Sequence, residues 1–254
     1  MHYHPASILL KDAPNVIAET RLTALQALRD PGFAFVGAEA MREALRLPED
    51  EQWAAFAASW EGMPRDQYMG DGGRYRFRRY ATLTADKAGK ITVAPHQPHF
   101  QSTDYNRLNG GVARWFEPIP DSVLHSPVLT RIFATCTAMF SVLKPHVPWH
   151  IEAHQFRIQA SADEVGKPTP EGVHRDGVDF VVVMMVTRQN IASGTTTIHS
   201  PDGAVLDSFT LTQPFDAALL DDHRCLHGVT PVTPLDPKQP AWRDVLVVTW
   251  RATR

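Results

Sequence analysis

His174 and Asp176 stand two residues apart in Gly-Val-His-Arg-Asp-Gly, and on an extended chain side chains at i and i+2 point to the same face. One imidazole and one carboxylate on a common face can share an ion. His227, in Leu-His-Gly-Val-Thr-Pro, follows 53 residues after His174, enough chain for several strands to return a third ligand beside the first two. Two imidazoles and a carboxylate leave neighbouring coordination positions open, which suits iron(II) that must bind a co-substrate and oxygen together, whereas zinc usually takes four ligands in a tetrahedron. Arg243 lies 16 residues beyond His227 at the start of the last apolar run, and its planar, always-charged fork is what a buried dicarboxylate needs to be held bidentately. Singly these signals are weak, because His-x-Asp arises often by chance and a lone strand arginine is usually a surface residue. In this order and context they predict His174, Asp176 and His227 as catalytic metal ligands.

Other histidines compete less well. His150-Ile-Glu-Ala-His154 is close to a zinc-protease helix, but its glutamate is one place late and Pro145 and Pro148 argue for extended chain before it. His223, four residues before His227, competes for the third ligand position, though the Gly-Val-Thr-Pro after His227 favours the latter. His199, beside Ser200-Pro201, reads as a turn residue.

The elements that must position these residues fall into two halves. The first, residues 1–147, reads as mostly helical support with a hairpin. Asn15 is placed to cap a helix carrying Ile17, Leu22, Leu25 and Leu28, and Pro31-Gly32 stops it before a short strand, Phe33 to Val36. Helices follow over Ala38–Leu47 and Glu49–Trp60. A hairpin comes next, Arg74–Leu83 with Ile91–Val93, and then one helix over Asp121–Leu143. Residues 148–254 read as short β-branched runs between turn signals: His150–Gln159, Val173–Val186, Thr195–Ser200, Ala204–Leu211, Asp216–Asp222, His227–Val232 and Arg243–Ala252. Seven antiparallel strands behind helices predict a mainly β fold, a double-stranded β-helix (jelly roll, cupin-like), braced by N-terminal helices in one domain over 1–254.

Composition narrows the function classes. A formal charge of −3, with Lys and Arg scattered among acids, offers no basic footprint for nucleic acid or an anionic membrane, so a small-molecule partner is the expectation. No run approaches the roughly 20 apolar residues of a membrane span, and the N-terminus with its short Ile8-Leu9-Leu10 run has no secretory pattern. Cys136 and Cys225, far apart and outside any Cys-x-x-Cys, suit a reducing cytoplasm.

From Pro170-Glu-Gly-Val-His-Arg-Asp-Gly-Val-Asp-Phe, through Leu220-Asp-Asp-His-Arg-Cys-Leu-His-Gly-Val-Thr-Pro, to Trp242-Arg-Asp-Val-Leu-Val-Val, the chain resembles the 2-oxoglutarate/iron(II) dioxygenase family that includes bacterial L-isoleucine hydroxylase. It also resembles a subgroup labelled as biofilm stress and motility proteins. The similarity reaches upstream through Phe100-Gln-Ser-Thr-Asp-Tyr-Asn and Gly110-Gly-Val-Ala-Arg114. The resemblance implies iron on His174, Asp176 and His227 and a 2-oxoglutarate salt bridge to Arg243. It further implies O2 as co-reactant, succinate and carbon dioxide as co-products, and hydroxylation of an unactivated C–H bond. Many wider relatives carry a Ser or Thr two residues after the arginine; here that residue is Val245, leaving Thr195 and Thr197 as candidates for the missing hydroxyl.

A free amino acid as substrate would need a cation for its carboxylate and a polar or acidic partner for its ammonium. Arg157, Gln155, Arg114 and Arg79 are the candidates, Arg157 first, because Gln155, Arg157 and Gln159 share one strand face opposite His154, Phe156 and Ile158. The rival readings are a catalytically silent metal-binding jelly roll with a sensing or stress-related role and a zinc hydrolase. Arg243 discriminates, since without a co-substrate it should pair with Asp244 or another acid.

Overall fold

Alternation along a few long strands organises this structure, a computed structural model that describes residues 13–47 and 50–254. The helices are α1 (Ala13–Arg29), α2 (Ala38–Leu45), α3 (Asp50–Ala58), α4 (Asp121–Leu124) and α5 (Pro127–Leu143). The strands are β1 (Phe33–Val36), β2 (Arg76–Ala85), β3 (Ile91–Val93), β4 (Glu117–Pro118), β5 (Trp149–Ala160), β6 (Phe180–Gln189), β7 (Ile191–Ser193), β8 (Thr195–His199), β9 (Val205–Thr210), β10 (Ala217–Asp221), β11 (Leu226–Val229), β12 (Val232–Pro234) and β13 (Ala241–Ala252). Among the described residues the large sheet runs β1-β10-β6-β13-β5-β2-β3, with β4 beside β2. A smaller sheet runs β11-β8-β9, and β12 pairs with β7.

Because strand side chains alternate, the large sheet sorts its residues into two sets. Leu246, Val248 and Trp250 of β13, Ile151 and Ala153 of β5, and Val182, Met184 and Val186 of β6 join Leu129, Ile132, Phe133 and Phe140 of α5 in one buried cluster. Phe140 stacks on Phe180 at 4.5 Å, and Trp250 Nε1 donates to Thr137 Oγ1 at 3.0 Å, so the indole nitrogen is satisfied inside the core. The opposite set, Arg243, Val245, Val247 and Thr249 of β13 with Glu152, His154, Phe156 and Ile158 of β5, lines a cavity between the large and small sheets. This is the expected jelly roll braced by helices.

Several boundaries differ from expectation. The helix expected over Asp121–Leu143 is two, because Pro127 starts a new helix and Ser126 caps it by accepting from Leu129 N–H. α1 already includes Ala13, so Asn15 lies inside it and not before it. The strand expected over Val173–Val186 is ordered as strand only from Phe180; before it lies a loop that touches β11 through one bridge, His174 to His227. His227–Val232 is two strands, and β7 was not foreseen. The helical first half also contributes β1, β2, β3 and β4 to the large sheet. Ile8-Leu9-Leu10 and Glu49 lie outside the described residues. No described helix is long and apolar enough to cross a membrane.

Candidate active site

The loop before β6 and the strand β11 bring together the three residues singled out by spacing. His174 N–H and C=O exchange 2.9 Å hydrogen bonds with the C=O and N–H of His227, which sets the two rings side by side with centroids 4.6 Å apart. Asp176 reaches both: its carboxylate oxygens lie 3.7 Å from His174 Nε2 and 3.8 Å from His227 Nε2. One ligand atom from each of the three lies within 4.8 Å of the others. His174 Nδ1 faces the Gly172 carbonyl at 3.0 Å, so that nitrogen carries the proton and Nε2 is the nitrogen turned to Asp176. Same-face geometry therefore arises without a regular strand. What holds the loop is Asp222, whose Oδ1 accepts from Asp176 N–H (2.9 Å) and whose Oδ2 accepts from Gly177 (2.7 Å) and Val178 (3.1 Å) N–H. Gly177 sits at φ +80°, and a Cβ there would meet the Tyr105 ring at 2.6 Å, so the turn after Asp176 requires glycine.

Electrostatics bind the cluster together. Burial works against charge on His174, but Asp176 and Glu171 outweigh it and raise its pKa to about 9. His227 is pushed down to about 4 by burial and by the charge on His174. Burial works against Asp176 as well, yet the imidazoles hold it at about 2, while burial and the Asp176 charge push Asp222 up to about 6. One imidazolium thus stands beside the carboxylate where a cation would sit. Asp222 escaped sequence reasoning; its signal, an acid five residues before His227 in Leu-Asp-Asp-His, was visible but not specific.

Arg243 lies in the same cavity, 1% exposed, with no hydrogen-bond partner for its Nε among the described residues. Burial and the neighbouring Arg188 charge push its pKa down to about 10. The acid beside it in sequence is turned to the other face: Asp244 Oδ1 and Oδ2 accept from Arg157 Nε and Nη2, both at 2.8 Å, and Thr187 Oγ1 donates to Oδ2. A buried guanidinium without a counter-ion costs several kcal/mol, so the cavity is built to receive an anion there. The metal-ligand set and the vacant fork fit a chelated metal and a dicarboxylate.

A second group on the cavity wall, His99, Glu152 and His154, also has metal-like spacing. It fits a cation poorly. Arg78 Nη2 lies 2.9 Å from His154 Nδ1 and brings a positive charge against the group, and Tyr80 Oη already donates to Glu152 Oε1 at 2.6 Å. Glu152 and His154 share a pattern close to a zinc-protease helix and, on β5, one strand face, but alternation alone does not say that this face is the inner one.

The remaining expected residues divide. Arg114 lines the cavity. Arg157, Gln155 and Arg79 do not: they belong to the outward face, covered by the chain after α3. Arg157 Nη2 also reaches Glu61 Oε1 at 2.7 Å, Gln155 Nε2 donates to Ser59 Oγ at 2.7 Å, and Arg79 Nη1 donates to the Ser59 carbonyl at 2.8 Å. The polar face of β5 packs on a loop, and its His154-Phe156-Ile158 face looks inward. Replacing Arg157 by Ala strands a buried Asp244 and is expected to cost about 3 kcal/mol, with KM for 2-oxoglutarate unchanged; urea unfolding beside steady-state kinetics checks both. The Thr195 and Thr197 hydroxyls make no hydrogen bond to Arg243. Their hydroxyls meet Thr210 Oγ1 at 2.9 Å and His199 Nε2 at 3.0 Å, and neither lines the cavity.

The sequence pattern of 2OG-Fe dioxygenases matches residues 57–249, most of the chain. The chain belongs to this family. Iron(II) and 2-oxoglutarate are accordingly the cofactor and co-substrate of the enzyme. The dioxygenase is 25% identical over 230 residues to the 3(1)-hydroxy-L-isoleucine 4-dioxygenase of Pantoea ananatis, covering 87% of this chain and 92% of that one. It is 28% identical over 159 residues to the L-isoleucine-4-hydroxylase of Bacillus thuringiensis, covering 60% and 64% respectively. Among solved structures it is similar to a bsmA homolog from Methylobium petroleophilum PM1, with a TM-score of 0.83, 39% identity, and 91% and 92% of the two chains covered. In this dioxygenase Asp222→Ala removes the acceptor of three backbone N–H groups beside Asp176 and is expected to weaken metal binding about ten- to a hundredfold, measurable by competition with a chelating dye.

Proposed function

We propose that this dioxygenase hydroxylates an unactivated C–H bond of a free L-amino acid, with iron(II) held by His174, Asp176 and His227 and a carboxylate of 2-oxoglutarate held by Arg243. One observation carries the site assignment: the three convergent ligands and an unpaired buried guanidinium open into one cavity. The amino-acid class is supported by the names of the two L-isoleucine relatives. With O2, iron and 2-oxoglutarate together supply an oxidant able to replace C–H by C–OH, leaving succinate and carbon dioxide.

The protein's own share is positioning and exclusion of water. Asp222 fixes the loop that carries Asp176, and the His174–His227 backbone pair fixes the two rings. Val178, Val183, Val245, Val247 and Phe156 give the cavity an apolar waist that shields a reactive centre from solvent. Cys136 and Cys225 are free, buried and in separate clusters, which suits work in a reducing cytoplasm.

The test is anaerobic reconstitution with iron(II) and 2-oxoglutarate, followed by succinate release in air with each standard amino acid. A weak visible charge-transfer band and stimulation of succinate release by an amino acid are the expected results. A band with no stimulation by any of them would sink the amino-acid reading and leave the cofactor assignment standing.

A further inference from the structure

The same cavity is lined by three more arginines, and their partners distinguish them. Arg76 is committed to Asp66, with Nε and Nη2 both 2.8 Å from Oδ2. Arg78 is committed to His154 and lies against two aromatic faces, 3.9 Å from the Phe116 ring centre and 4.6 Å from that of Phe156. Arg114 is 1% exposed and lines the cavity, yet its Nε and Nη2 have no hydrogen-bond partner among the described residues. Its backbone is clamped to His99 by two 2.9 Å hydrogen bonds, so the fork is carried on a fixed stem.

A complementary orphan lies in the same cavity. Glu171 Oε2 is buried without a hydrogen-bond partner among the described residues, while its Oε1 is 3.5 Å from His174 Nε2. The other acids nearby are engaged: Glu152 by Tyr80, His99 and His150, Asp66 by Arg76, and Asp176 by the two ligand imidazoles. Leaving one buried fork and one buried carboxylate oxygen unsatisfied is expensive unless a ligand completes both. Arg243 accounts for one carboxylate, that of the co-substrate. A second vacant fork calls for a second carboxylate.

Building on the amino-acid reading above, we propose that Arg114 and Glu171 form the substrate's head-group subsite, Arg114 holding the α-carboxylate and Glu171 accepting from the α-ammonium. The site then selects a free zwitterion over a peptide or an amide, because an amide offers Arg114 no charge and one acceptor oxygen in place of the two that a guanidinium fork pairs with. The apolar waist formed by Val178, Val183 and Val247 is left for an aliphatic side chain.

The experiment is isothermal titration of the full-length protein under anaerobic conditions with iron(II) and 2-oxoglutarate. L-Isoleucine, L-isoleucine amide and 3-methylpentanoate are each titrated into wild type, Arg114→Gln, Arg114→Lys and Glu171→Gln, and 2-oxoglutarate binding to every variant serves as the folding control. Loss of one partner of a buried charge pair predicts that Arg114→Gln binds L-isoleucine at least about thirtyfold more weakly. Its affinity for the amide, already poor, should not change. Arg114→Lys, which keeps charge without the fork, should recover part of the loss. Glu171→Gln should weaken L-isoleucine but spare 3-methylpentanoate. Wild-type binding of L-isoleucine that Arg114→Gln leaves undiminished overturns this assignment alone. If wild type binds 2-oxoglutarate but not L-isoleucine, the other standard amino acids are titrated in turn, and a wild type that binds none of them brings down the assignment and the amino-acid reading together.

Discussion

Asp176→Ala is expected to yield a folded protein that binds iron(II) more than about a hundredfold more weakly, beyond what loss of a supporting neighbour costs, and releases no succinate. The carboxylate is the one anionic member of the cluster and the only one facing both imidazoles, at 3.7 and 3.8 Å. Without it, no carboxylate faces both imidazoles: Glu171 reaches only His174, at 3.5 Å, and His227 is already driven down by burial and by His174. Folding should survive, because the loop is held from outside by Asp222 through backbone N–H groups that the substitution leaves in place. Removing the Asp176 charge also relieves the repulsion that raises Asp222. The check is thermal unfolding with and without a divalent metal: the metal should raise the wild-type melting temperature by mass action and leave that of Asp176→Ala unmoved. A variant that keeps the metal-dependent shift would mean that the metal sits elsewhere, with His99, Glu152 and His154 the next group to test.

Much of the fold was legible because its strands are long and their punctuation is strong. The β13 run Val245–Val248, the hairpin of β2 and β3 and the turn at Pro201-Asp202-Gly203 all follow local rules. What local rules do not encode is which face of a strand meets the cavity. On β5 both faces carry polar residues, so alternation separated Gln155 and Arg157 from His154 and Phe156 without saying which pair looks inward. That choice is made by tertiary packing: α5 covers the outer face at one end of β5, and Ser59 and Glu61 cover it at the other. The ligand loop failed for a related reason. His-x-Asp was read as strand because i and i+2 share a face on extended chain, whereas here the carboxylate of Asp222, 46 residues away from Asp176, replaces the ladder. Arg243 and Asp244, adjacent and both buried, point to opposite faces, and it is their partners that separate them: Asp244 is held by Arg157 and Thr187 on one face, while Arg243 lines the cavity on the other.

Arg243→Met should separate binding from stability in a way that an ordinary structural arginine would not. The guanidinium is buried, its Nε lacks a hydrogen-bond partner among the described residues, Arg188 lies opposite it on β6, and the acid next in sequence belongs to Arg157. In the protein without co-substrate this charge is a liability, and replacing a buried, uncompensated ion by an apolar side chain of similar reach is stabilising by about 1 to 4 kcal/mol. For a chain of this size each kcal/mol moves the melting temperature by about 2 to 4 °C. The variant should therefore melt above wild type when neither contains 2-oxoglutarate. Adding 2-oxoglutarate at about a hundred times its Kd should stabilise wild type by about 2.7 kcal/mol and do little for the variant. KM for 2-oxoglutarate should rise at least about thirtyfold, the low end for truncating one member of a buried charge pair. The two effects have opposite signs and share one cause, a site whose charge is unsatisfied until the co-substrate arrives. If Arg243→Met melts below wild type and keeps its affinity for 2-oxoglutarate, Arg243 is a strut of the sheet, and the co-substrate must be anchored by another cation of the cavity.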